Sequence, residues 1–165
     1  MRALVVFESM FGNTQKIAEA IADGLSVTMT VDTLEVGSAG SSLDGVDLLV
    51  VGGPTHAFGL SRRSTRANAA EKAPGGVVSK ATGLREWLAE VHADGAMVAT
   101  FDTKADKPRL PGSAAHAARR LLRRRGYRPV AAAASFFVTG TTGPLADGEE
   151  ERARRWGEQL GLAVT

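Results

Sequence analysis

The run Ala3–Phe7 is apolar, and only Ser9-Met10-Phe11-Gly12-Asn13-Thr14 separates it from a helical stripe of Ile17, Ala18, Ile21, Ala22 and Leu25. An apolar run without polar alternation reads as a strand covered on both faces, which belongs to a parallel sheet flanked by helices. The junction carries a second constraint. Where a strand turns through small polar residues into a helix, hydroxyls and the first helical N–H groups converge, and the helix dipole favours negative charge there. The hexapeptide therefore reads as a seat for a phosphate. A plain helix cap also places Ser and Asn at such a turn, although a cap uses one hydroxyl and leaves the rest of the loop's composition unexplained.

Strand and helix patterns alternate along the rest of the chain, as a doubly wound sheet requires. A helix is expected from Thr14 to Leu25, then a half-covered strand over Val27–Leu34, in which Val27, Met29 and Val31 alternate with Thr28, Thr30 and Asp32. Gly37–Gly45 is rich in Gly and Ser and leaves room only for a short or degenerate helix before a third strand, Val46–Gly53. Ser61–Gly83 is polar, holds Arg62, Arg63 and Arg66 and contains Pro74-Gly75-Gly76; it reads as a long loop with a turn of helix near Arg66–Lys72. A helix from Leu84 to His92 buries Leu84, Trp87, Leu88 and Val91, and a fourth strand follows at Ala96–Thr100. Pro111-Gly112-Ser113 opens a helix that Gly126 stops, Val130–Val138 is the fifth strand, and Asp147 with Glu150 caps a last helix, Glu149–Leu160.

The expectation is an α/β fold: a three-layer sandwich around a five-stranded parallel sheet in the order 2-1-3-4-5, with residues 1–165 as one domain. Hydrophobic residues make up 44% of the chain among mixed charges, which argues against disorder. No apolar stretch is long enough for a membrane span, and no signal-peptide pattern precedes the first strand. Cysteine is absent, which excludes disulfides, thiol redox chemistry and cysteine-held iron–sulfur clusters, so any redox chemistry must come from a bound cofactor. The simplest compartment is the cytoplasm. No metal-ligand cluster, acid–base pair or nucleophile arrangement stands out, so no catalytic residue is assigned.

The competing phosphate loops lack their parts. A Walker loop needs a lysine after its second glycine, a dinucleotide fold needs three spaced glycines, and a phospho-receiver needs an acidic cluster where Glu8 stands alone. What remains resembles the FMN-phosphate loop of the flavodoxin family, roughly Thr/Ser-x-Thr-Gly-x-Thr. The resemblance extends along nearly the whole chain. Pro54-Thr55-His56-Ala57-Phe58-Gly59-Leu60, after the third strand, looks like the loop flanking one face of the flavin. Phe101-Asp102-Thr103-Lys104, after the fourth, stands where the family has its second ring-binding loop.

The resemblance implies FMN as cofactor, with Ser9, Asn13 and Thr14 donating to the phosphate, the backbone of Met10, Phe11, Gly12, Asn13 and Thr14 completing the cradle, and Gly12 allowing close approach. It implies Pro54, Thr55, His56, Ala57, Phe58 and Gly59 on one side of the ring and Thr100, Phe101, Asp102 and Thr103 on the other. Gly59 is the candidate for a backbone carbonyl that turns toward flavin N5. Trp or Tyr covers the ring in most of the family. Here Tyr127 is the only Tyr and both Trp lie in helix stripes, which leaves His56, Phe58 and Phe101 as stackers. His56 is otherwise an ordinary loop residue, while His92, His116, Trp87 and Trp156 read as structural. Near the ring, Asp102 lowers the potential of a reduced anion, and Lys104, Lys107 and Arg109 raise it.

With net charge +2 and a pI near 9.3, the chain also departs from the acidic members of the family. Arg119, Arg120, Arg123, Arg124 and Arg125 gather on one helix and Arg152, Arg154 and Arg155 on another. They are a solvated face, or they meet an acidic partner or a phosphorylated nicotinamide. Aromatic interleaving is missing, which argues against nucleic acid. Three functions fit: an FMN electron carrier exchanging with a redox partner protein or an NAD(P)H reductase; an NAD(P)H-dependent reductase of quinones or small molecules, with the arginines of Ser61–Gly83 over the flavin; and a flavin-free module acting by protein contact.

Overall fold

The computed structural model describes residues 1–108 and 110–165. The elements run β1 (Arg2–Phe7), α1 (Asn13–Leu25), β2 (Thr30–Glu35), β3 (Leu48–Pro54), α2 (Arg63–Glu71), α3 (Leu84–Glu90), β4 (Met97–Ala105), α4 (Ala114–Arg124), β5 (Arg128–Pro129), β6 (Ala134–Val138) and α5 (Glu149–Val164). The sheet is parallel and ordered β2-β1-β3-β4-β5, with β6 also on β4, so the expected order holds with one strand more.

Side-chain alternation divides the core between two faces. Ala3, Val5, Phe7, Leu48 and Val50 meet Ile17, Ile21 and Leu25 of α1 and Leu160 of α5. Leu4, Val6, Leu49 and Val51 meet Leu84, Trp87 and Leu88 of α3 and Ala118 and Leu122 of α4. α1 and α5 approach backbone to backbone: a Cβ added at Gly24 would lie 2.0 Å from Arg154 O, and one at Gly157 would lie 2.2 Å from Ile21 O. The order reverses at β1 and β3, so the connections leave in opposite directions and open a crevice at the strands' C-terminal ends.

Four expectations need correction. β2 begins at Thr30, not Val27: the chain is still turning after α1, and Val27 is 70% exposed. The 61–83 segment holds a full helix, α2, where one turn was expected; only Ala69 of it is buried, so it carries no apolar stripe. The fifth strand is split. β5 pairs with Met97–Val98 and β6 with Phe101–Ala105, and four residues on one side face two on the other, so the chain bulges at 130–133. Finally, Gly148, in the left-handed region at φ 81°, is the N-cap of α5, and no Asp147 cap forms.

Candidate functional site

The phosphate-type loop is held from three directions. Ser9 Oγ accepts from Gly12 N (3.1 Å) and Gln15 N (3.4 Å), Asn13 Nδ2 donates to Thr142 O (3.0 Å), and the Thr14 and Thr103 hydroxyls lie 2.7 Å apart. The segment after α2 is stitched to the same loop: Val78 N donates to Met10 O, Ser79 N donates to Ser9 O, and Ser9 N donates to Ser79 Oγ. The N–H groups of Met10, Phe11, Asn13 and Thr14 have no protein acceptor among the described residues. This is the pattern an anion seat needs, with the donors left open and the side chains around them fixed.

These residues open onto a cavity of about 300 Å³, at the small end of the range for ligand sites. Ser9, Met10, Phe11, Asn13, Thr14, Pro54, Thr55, His56, Ala57 and Thr103 all line it, so three separated stretches of the chain meet at the crevice. The wall has further members that the sequence did not single out for it. Thr65, Asn68, Ala69 and Lys72 come from or just beyond α2, Ala105 from the end of β4, Val138 from the end of β6, and Gly140 and Thr141 from beyond it; Lys104, expected near the ring, lines the wall as well. The spacing of Thr65, Asn68, Ala69 and Lys72 is one helical face, a signal the sequence did contain once α2 is recognised.

Thr100, Phe101 and Asp102 belong elsewhere. β4 continues to Ala105, and the expected ring-binding loop is strand. Phe101 is fully buried, packs edge-on against Phe136 and Trp156, and covers Gly52, where a Cβ would lie 2.2 Å from its ring. It has no face free for stacking. Thr100 Oγ1 donates to Ala115 O (2.9 Å). Asp102 Oδ2 accepts from Thr55 Oγ1 (3.2 Å), Ala115 N (3.0 Å) and Ser113 Oγ, so it ties the loop after β3 to the N-terminus of α4. Asp102 therefore fixes that helix end and lines no part of the cavity. Gly12, Phe58 and Gly59 also stand outside the lining. His56 and Gly59 close a turn on each other's backbone, and its strained positions are Ala57 (φ 44°) and Phe58 (φ 72°), not Gly59.

The charges sort differently from expectation. Lys72 and Lys104 line the cavity, and among the described residues no carboxylate does. Arg109 lies outside the described residues. Arg63 and Arg66 line a separate depression with Lys80 and Glu86, so the arginines of the 61–83 segment do not cover the cavity. Arg66 Nη1 donates to Ser61 Oγ (2.9 Å), which in turn donates to Glu8 Oε1 (2.8 Å), and Leu84 N donates to the same oxygen (2.7 Å). Burial raises the Glu8 carboxyl above its ordinary value despite those donors. His56, whose Nδ1 lies 3.2 Å from Thr65 Oγ1, is pushed below its ordinary value by burial and then by Arg66 and Lys72.

The flavodoxin family model matches residues 5–74. A flavodoxin from the domain Archaea superposes with a TM-score of 0.70 at 20% identity, covering 99% of both chains. This is a flavodoxin-like chain. A flavodoxin from Streptococcus pneumoniae TIGR4 superposes on it at 0.69 and 19% identity, over 98% of this chain and 99% of that one. The flavodoxin-like fold also covers 36% of the rubredoxin:oxygen oxidoreductase of Desulfovibrio gigas, which matches 99% of this chain at 0.66 and 14% identity. No curated protein matches by sequence. Among the described residues, no helix of the flavodoxin-like chain is long and apolar enough to cross a membrane.

Proposed function

We propose that the cavity holds FMN and that the protein, acting as one domain over residues 1–165, carries electrons in the cytoplasm. The observation behind this reading is the set of open N–H groups of Met10, Phe11, Asn13 and Thr14 at the end of the cavity. They suit a dianionic phosphate, which a flavin-free module would not need. FMN, when bound, accepts and donates electrons, chemistry that no side chain of this chain supplies. The residues do the rest. The loop binds the phosphate, Pro54–Ala57 and the α2 face enclose the ring, and Phe11 and His56 offer the aromatic surfaces in the lining. Lys72 and Lys104 attract negative charge there and favour reduced, anionic flavin.

The reductase alternative is weaker because Arg63 and Arg66 face another depression. Titrating the apoprotein with FMN, followed by flavin fluorescence, tests the reading against riboflavin as control. Saturation in the micromolar range or tighter, with riboflavin at least about tenfold weaker, supports it. Equal affinity for both, or binding of neither, overturns it. Steady turnover of NADPH with a quinone and no added reductase would instead identify the enzyme.

A further inference from the structure

The basic helices differ in a way that sequence alone hides. On α5, Arg152 pairs with Glu149, Arg154 with Glu151 and Glu158, and Arg155 with Glu151. α4 carries no acidic residue, and His116, Arg119, Arg120, Arg123 and Arg124 line one shallow groove. No ion pair among the described residues involves any of these five. Arg119 and Arg123, and Arg120 and Arg124, stand four residues apart, a like-charge spacing that weakens a helix. Arg123 and Arg124 gain from the dipole in the last turn; Arg119 and Arg120 lie too far back for that. A solvated face needs none of this concentration.

The helix that carries the stripe begins beside the cavity, where Ala114 N donates to Thr55 Oγ1 (3.0 Å). Gly112 and Ser113 lead into α4, and a Cβ at Gly112 would lie 2.1 Å from Phe58 O, so the Phe58 turn rests on this entry. Lys104 Nζ donates to Gly112 O (2.7 Å) and Leu110 O (3.3 Å), joining the same rim to the cavity wall. Two apolar side chains project from it: Phe58, 59% exposed, and Leu110, 55% exposed. An exposed aromatic beside a charged border is the anatomy of a protein interface.

We propose that Phe58, Leu110 and the arginine stripe of α4 form one docking surface for an acidic redox protein. It seats that partner's carboxylates on α4 and its redox centre near the cavity mouth. The proposal rests on the electron-carrier reading. α4 has no Phe, Tyr or Trp, and Phe58 alone makes no track of rings for base stacking, which favours a protein over nucleic acid.

The test measures binding of cytochrome b5, an acidic redox protein, to the wild-type chain by calorimetry, with the basic cytochrome c as control. Neither measurement depends on flavin, so failure here is separable from failure of the FMN titration. Saturable binding to cytochrome b5 alone is expected, weakening about tenfold between about 0.05 M and about 0.3 M salt. Arg120→Glu with Arg124→Glu should cost tenfold or more by the same electrostatics, roughly, while Lys80→Glu with Arg155→Glu, an equal change in net charge, should cost less than about twofold. Phe58→Ser should weaken binding without altering its salt dependence. Equal losses in the two double variants, no saturable binding, or tighter binding to single-stranded DNA than to cytochrome b5 would overturn the proposal.

Discussion

Two buried carboxylates, Glu8 and Asp102, hold the ends of this site in place, and each makes a prediction. Glu8 has a folded-state value above its ordinary 4.5, so the fold prefers it protonated. Its favourable contribution is complete below the ordinary value and is lost as pH rises through the raised one. Glu8→Gln removes that slope: urea unfolding across pH should show the wild type losing stability relative to the variant as pH rises above 4.5. Parallel profiles would refute this. Glu8→Ala strands Ser61 Oγ and Leu84 N–H and should cost about 2 kcal/mol at low pH, and less as pH rises through the raised value. For Asp102→Ala, three donors lose one acceptor, and a loss of about 3 kcal/mol is expected in the same assay. Neither role was legible in the sequence. A charged residue at a strand end reads as loop until its partners are known, and those of Asp102 come from two other segments, Thr55 and Ser113–Ala115.

Elements with an apolar stripe or an unbroken apolar run were the readable ones. α1 and α3 show the stripe, and β1 and β3 the run, because burial repeats with the period of the structure. α2 escaped recognition because it lies over the cavity rim and buries little more than Ala69. The β5–β6 split was hidden because a run of alanines carries no mark of a bulge. The α1–α5 contact supports a test of sign. Gly157 sits inside a helix, where replacement by Ala would gain about 1 kcal/mol from propensity alone. A Cβ there meets Ile21 O at 2.2 Å, so the helices must part, and Gly157→Ala should instead lower stability by roughly 1–3 kcal/mol. A raised melting temperature would show that the two helices yield more easily than their spacing indicates.

For the whole molecule, a ligand that binds only the folded chain raises its stability by mass action. At a free FMN concentration about 100 times Kd, the gain should be about 2.7 kcal/mol. In a chain of this size that is roughly 5–10 °C in melting temperature, with riboflavin giving much less. The location of the cavity was legible because the order of this sheet reverses once, and the loops leaving that point must meet there. Its far wall was not, since it is made by a helix whose side chains carry no apolar signal. The stitching of Val78 and Ser79 to Ser9 and Met10 has a consequence for how the protein is made. Ser9 and Ser79 lie 70 residues apart, so a nascent chain can complete β1 and α1 long before anything anchors the turn between them. The seat is finished only when the crossover to α3 has emerged, so on the FMN reading proposed above, loading belongs late in synthesis.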